Sequence, residues 1–191
     1  MVAAGCGDFF TSGNSIATLV IDPTSYLLAT GQTVSYTATG TTVNGTTQDV
    51  TTSAKWSSSN TSVATITNTG VATAVTTGTT TITASSGNGS ATASLLVSSS
   101  TLQTISISPT TPSVAQTQGT QQFTANGTFS NGSTQNLTNV VQWTSSNTAV
   151  ATINSNGVAT LITGGGQQVT ITATVTTSSG AVTSNTTMTV N

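Results

Sequence analysis

Few residues in this chain have the means to do chemistry. Its 191 residues include one Lys or Arg, three Asp or Glu and no His. The ionisable side chains of ordinary charge are Asp8, Asp22, Asp49 and Lys55, and Cys6 is the single cysteine. A Ser or Thr nucleophile needs a base to take its proton, and no imidazole is available to any hydroxyl here. Hydrolysis by paired carboxylates would have to draw two of the three Asp from different segments. Metal sites need thiolates, imidazoles or several carboxylates, and this inventory is too small for any of them. Gly164-Gly165-Gly166 lacks the Lys that completes a phosphate loop and reads as a turn. We therefore expect no enzyme activity, no cofactor and no metal. One Lys cannot displace counterions from phosphates, so nucleic acid is excluded as a partner. A polybasic membrane surface is excluded on the same ground.

Hydroxyls and amides take the place of charge. Ser and Thr make up about 40% of the chain, and charged residues 2% against an ordinary share of about 25%. Apolar residues reach 34% and alternate with polar ones, so the composition is not that of a disordered chain. Thr is β-branched and suits a half-exposed strand, where its methyl packs and its hydroxyl meets water. With so few ionisable groups, stability should change little between about pH 5 and 8.

The elements that carry these residues come in two copies. Trp56 to Ala74, WSSSNTSVATITNTGVATA, returns as WTSSNTAVATINSNGVATL from Trp143 to Leu161, about 87 residues on. That period is one small β domain. The division it predicts is a leader over 1–15, domains over 16–98 and 102–191, and a junction over 99–101 too short for free tumbling. Strand period dominates both copies. Val34, Tyr36 and Ala38 alternate, as do Ala91, Ala93, Leu95 and Val97; in the second copy Val169, Ile171, Ala173 and Val175 face in while the intervening Thr face out. Asn44-Gly45 and Asn131-Gly132 are hairpin turns. About seven short strands per copy predict a β-sandwich. Trp56 and Trp143 hold one repeat position and read as core with Tyr36 and Phe123, in preference to a sugar-stacking pair. Tyr26 and Phe129 have no counterpart in the other copy and are candidates for an exposed contact. Lys55 reads as a solvated side chain beside Trp56, in preference to an isopeptide crosslink.

The run from Pro109 through Gly119-Thr120-Gln121-Gln122-Phe123-Thr124-Ala125, Trp143-Thr144-Ser145-Ser146-Asn147, Val150-Ala151-Thr152-Ile153 and Gly157-Val158-Ala159 resembles the bacterial immunoglobulin-like domain, group 2. The first copy matches the same pattern. The resemblance implies an all-β chain of two tandem immunoglobulin-like β-sandwich domains. It also implies a place in bacterial surface proteins, such as the stalks of invasin-like and intimin-like adhesins. Val2-Ala3-Ala4-Gly5-Cys6 is similar to the lipobox of bacterial lipoproteins, which makes Cys6 the lipidation candidate and the cell envelope a partner. The Asn-x-Ser/Thr sequons follow by chance from such a composition.

Edge strands rich in Thr and poor in Lys or Pro are open to pairing with another copy. The function expected is a bacterial cell-surface structural protein, extracellular or on the outer surface, that assembles with itself into a filament or stalk. Phe9, Phe10, Ile16, Leu19 and Ile21 are the subunit-contact candidates. The alternatives are an adhesion or carbohydrate-binding surface lipoprotein, with a host or environmental glycan as partner, and a passive spacer.

Overall fold

Alternation at period two, broken by Gly and Asn turns, leaves strands as the way to bury these apolar residues. The computed structural model describes residues 15–191. Cys6, Phe9 and Phe10 lie outside the described residues. The first module comprises β1 (Ile16–Asp22), β2 (Ser25–Ala29), β3 (Thr33–Ser35), β4 (Thr37–Thr42), β5 (Thr47–Asp49), β6 (Lys55–Ser58), β7 (Ala64–Ile66), β8 (Val71–Ala74), β9 (Gly78–Ser86) and β10 (Gly89–Ser98). The second comprises β11 (Leu102–Ser108), β12 (Ser113–Val114), β13 (Thr120–Gln122), β14 (Thr124–Phe129), β15 (Thr134–Asn136), β16 (Gln142–Ser145), β17 (Ala151–Ile153), β18 (Val158–Leu161), β19 (Gln167–Thr177) and β20 (Gly180–Val190). A 3-10 turn, Gln116–Gln118, precedes β13. Each module thus has more strands than the seven or so expected. The surplus comes from strands split at irregular points, such as β3 and β4, and from short edge segments such as β5 and β15.

Both modules are built alike. Strands β1-β4-β5 and β3-β8-β7 form two small sheets in the first, and β11-β14-β15 and β13-β18-β17 their equivalents in the second. They close over a hairpin, β9–β10 or β19–β20, with β6 or β16 beside it. The aromatic pair sits between the layers. Tyr36 is 1% and Trp56 7% exposed, with ring centroids 6.3 Å apart; Phe123 and Trp143 are placed likewise at 6.4 Å.

Gly70 and Gly157 fix the turn that admits these rings. Their φ values are +79° and +75°. A Cβ at either would strike a backbone carbonyl, that of Tyr36 or of Phe123. The same carbonyl-rich corner receives the chain: Gly70 accepts from the Tyr36 N–H at 2.8 Å, and Gly157 from the Phe123 N–H at 2.7 Å. Glycine is the residue that meets both demands.

Phe129 corrects an expectation. It is 1% exposed and belongs to the second core, where the first module has the buried Thr42. A residue without a counterpart was filling space inside its module.

Candidate functional site

One constellation appears in both modules and ties the core Trp to the neighbouring sheet. The carboxylate of Asp49 accepts from the Thr51 N–H at 2.8 Å, and the amide oxygen of Asn136 accepts from the Thr138 N–H at 2.9 Å. The hydroxyl oxygens of Thr51 and Thr138 then accept from the Ala38 and Ala125 N–H groups, at 2.9 and 3.0 Å. Their carbonyls accept from Trp56 and Trp143 Nε1, both at 2.8 Å. These hydrogen bonds all close within one module. Hydrogen bonds from Thr51 hold the Asp49 carboxyl below its usual range.

A second place serves both modules at once. Strand β2 runs parallel to β10 of its own module, Leu27 opposite Leu96 and Leu28 opposite Val97. Its other edge runs parallel to β19 of the second module, Tyr26 opposite Thr176 and Leu27 opposite Thr177. The result is one sheet, β12-β20-β19-β2-β10-β9-β6, continuous across the joint. Adjacent side chains on a strand point to opposite faces, so Leu28 enters the first core and Leu27, 5% exposed, the second. The same split occurs on β10. Leu95 and Val97 belong to the first core, while Leu96 joins Leu27 and Leu102 in the second. Tyr26 lies beside this joint, half-buried against the first core, rather than standing free as a contact. Polar bonds add to it: Ser94 Oγ donates to the Asn139 carbonyl at 2.9 Å, and Ser25 Oγ to the Thr174 carbonyl at 3.5 Å.

Beside the joint lies an open crevice of about 890 Å³ between the modules. Ser59, Thr79, Thr81, Asn139 and Asn156 are among its lining residues, and none of the lining is charged. Its walls offer neutral hydroxyls and amides without an exposed aromatic platform. Among the described residues no three of His, Cys, Asp and Glu come together.

Of the proposed contact residues, Ile16, Leu19 and Ile21 are buried in the first module's own core. Strand β1 pairs with β4 from Ile16 to Asp22. This corrects their reading as an available subunit surface: the alternating pattern that marked them as apolar also places them inside. The exposed strands β5 and β15 remain, carrying Thr, Gln, Asp and Asn. Leu27 and Leu96 were missed. Two adjacent leucines in a strand, at Leu27-Leu28 and at Leu95-Leu96, were the available signal, because one core cannot take both.

The bacterial Ig-like domain (group 2) matches residues 15–97 and again 101–186. The chain belongs to that family. It is all-β, two tandem immunoglobulin-like modules. Among curated proteins it is similar to Ice-binding protein 1 of Shewanella frigidimarina (strain NCIMB 400), 41% identical over 145 residues. That stretch is 76% of this chain and 16% of the relative, so the chain spans about a sixth of the relative's length. Among solved structures it is similar to domains 5-6 of the S-layer protein SbsC. That match is 20% identical, covers 92% of this chain and 97% of that one, and has a TM-score of 0.39. Domains 1-6 of the surface layer protein SbsC give 20% identity, 93% and 28% coverage, and a TM-score of 0.38.

Proposed function

We propose that this chain is a stiff structural unit of a bacterial extracellular or surface protein, one that holds neighbouring parts at a fixed separation. Strand β2 is the observation that carries this reading. Bending at the joint would break its pairing with β19 and return Leu27 and Leu96 to water. Family membership supports a place outside the cell. The relative named Ice-binding protein 1 supports a subordinate part within a longer protein, since the similar stretch is a small share of its length. The test is single-molecule energy transfer between dyes near residues 15 and 191. One narrow distance distribution is expected, and a broad one would remove the spacer reading. A screen of neutral glycans should be blank; a clear hit would favour adhesion through the crevice. Anchoring through Cys6 belongs to the same proposal. Mass spectrometry of the native amino terminus should find a lipid on Cys6, and an unmodified thiol there would remove the anchor.

One observation favours a second reading. Thr170, Thr172 and Thr174 on β19 stand opposite Thr187, Asn185 and Thr183 on β20. Strand geometry spaces such side chains about 6.7 Å along and about 4.8 Å across, a regular array of five hydroxyls and one amide suited to ordered water. On this reading the second module would touch ice directly. Inhibition of ice recrystallisation that Thr172→Lys abolishes would support it, and no inhibition by the parent chain would dismiss it.

A further inference from the structure

The two modules repeat one another, yet the joint between them is built from features that each occur in one module and not in the other. Superposing the repeats by strand pairing sets Leu27 against Ser113 and Leu96 against Thr189. The register shows it: Leu27 pairs with Leu96 and Leu28 with Val97, as Ser113 pairs with Thr189 and Val114 with Val190. Core-facing positions stay apolar in both copies, Leu28 and Val97 against Val114 and Val190, all buried. The joint-facing positions change from leucine to hydroxyl. Ser113 is exposed and Thr189 partly so. The first module therefore carries an apolar acceptor on its β2 edge, and the second carries a hydrated edge at the same place.

The other half of the joint is equally one-sided. It is the far end of the β19–β20 hairpin, whose Thr176 and Thr177 pair with β2 and whose Val182 packs against the joined core. Trp56 stands opposite Ala84 and Trp143 opposite Ala173, which aligns the two hairpins. Counted from there, Val175 pairs with Val182 where Ser86 pairs with Gly89. Thr176–Ala181 and Thr177–Gly180 are two further pairs that β9–β10 does not have. The shorter hairpin turns at Gly87 instead, and its Asn88 N–H donates to the Ile16 carbonyl of the same module at 3.0 Å.

We infer that this joint is a keyed, one-way interface. Leu27 and Leu96 form the acceptor, the two-pair extension of β19–β20 is the donor, and the order of the modules is written in these residues. The pair is closed to repetition of the same joint. Module 2 offers no apolar acceptor to another such hairpin, and module 1 has no extended hairpin to offer another acceptor. A second copy of this chain cannot add head-to-tail by this contact, whatever the pair is attached to.

Calorimetry on the whole chain tests this. The parent should unfold in one transition, since each module buries part of the other. Leu27→Ser with Leu96→Thr installs the residues that module 2 already tolerates, so each module keeps its own core. Removal of residues 176, 177, 180 and 181 shortens the donor to the length of β9–β10. Each change should split the single transition into two, and both together should split it no further than either alone. Amide NMR spectra that remain dispersed for both modules would show that the loss is of coupling and not of fold. Two independent transitions in the parent, or one undivided transition in both variants, would overturn the inference.

Discussion

Tyr36 and Phe123 occupy the same place in the two modules and differ by one hydroxyl. The Tyr36 hydroxyl is buried and, among the described residues, has no hydrogen-bond partner. An unpaired buried polar group costs about 1–3 kcal/mol, and removing it without changing shape can return that cost. Tyr36→Phe should therefore leave the first module as stable or about 1 kcal/mol more stable, measured by urea unfolding. Burial, with Tyr26 nearby, pushes the Tyr36 phenol well above the ordinary tyrosine range. An acid whose folded pKa is raised keeps its stability contribution below its unfolded pKa, about 10, and loses it as pH rises further. The Asp49 carboxyl is lowered, so its contribution is present above the usual carboxylate range and lost in acid. Melting temperature should be flat between about pH 5 and 8 and fall above about pH 10, with Tyr36→Phe blunting the alkaline fall. A fall that this variant leaves unchanged would show that Tyr36 is not its source. Thr138→Val keeps volume but strips the acceptor from the buried Ala125 N–H. It should cost about 1–3 kcal/mol, and Thr138→Ser should recover most of it. At this scale much was legible in sequence. The repeat marked Trp56 and Trp143 as equivalent, and both occupy cores. Phe129 was misread because a residue without a counterpart can pack inside as readily as outside.

Turns and strands carry the next level. Gly157 and Gly165 both have positive φ, +75° and +89°, but differ in surroundings. A Cβ at Gly157 meets the Phe123 carbonyl, while one at Gly165 meets nothing within 4 Å. Gly165→Ala should cost only backbone strain of about 1 kcal/mol. Gly157→Ala should cost clearly more, because a carbonyl that accepts from Gln122 Nε2 must also move. Equal losses on chemical denaturation would refute the steric account of this turn. The hairpin turns at Asn44-Gly45 and Asn131-Gly132 were readable because that dipeptide supplies positive φ, and Gly45 and Gly132 adopt it at +81° and +78°. The short edge segments were not readable. Three polar residues such as Thr47–Asp49 have no apolar period, and only pairing with β4 makes them a strand. Leu96 escaped because Leu95 and Val97 already satisfied the alternation, and a strand that feeds two cores looks like one with a surplus leucine.

For the whole molecule, the repeat spacing of about 87 residues is close to the length of each stretch that the family matches, 15–97 and 101–186. It could not show how the modules meet. That depends on a parallel pairing of only two residue positions, Tyr26 with Thr176 and Leu27 with Thr177, between segments about 150 residues apart. The junction after β10 is short, but its shortness alone would allow a hinge. On the proposed reading it is stiffened by the sheet that passes through β2 and by Leu27, Leu96 and Leu102, which share the second core. The near absence of charge acts at this scale too. Among the described residues such a joint has no ion pairs for salt to screen, so its geometry should be the same at low and high ionic strength. The most direct measurement is small-angle X-ray scattering of the whole chain at 20-fold different salt concentrations. A single conformation with the two modules joined along β2 should fit both profiles. A profile that requires a range of hinge angles, or one that changes with salt, would contradict a rigid shared-strand unit.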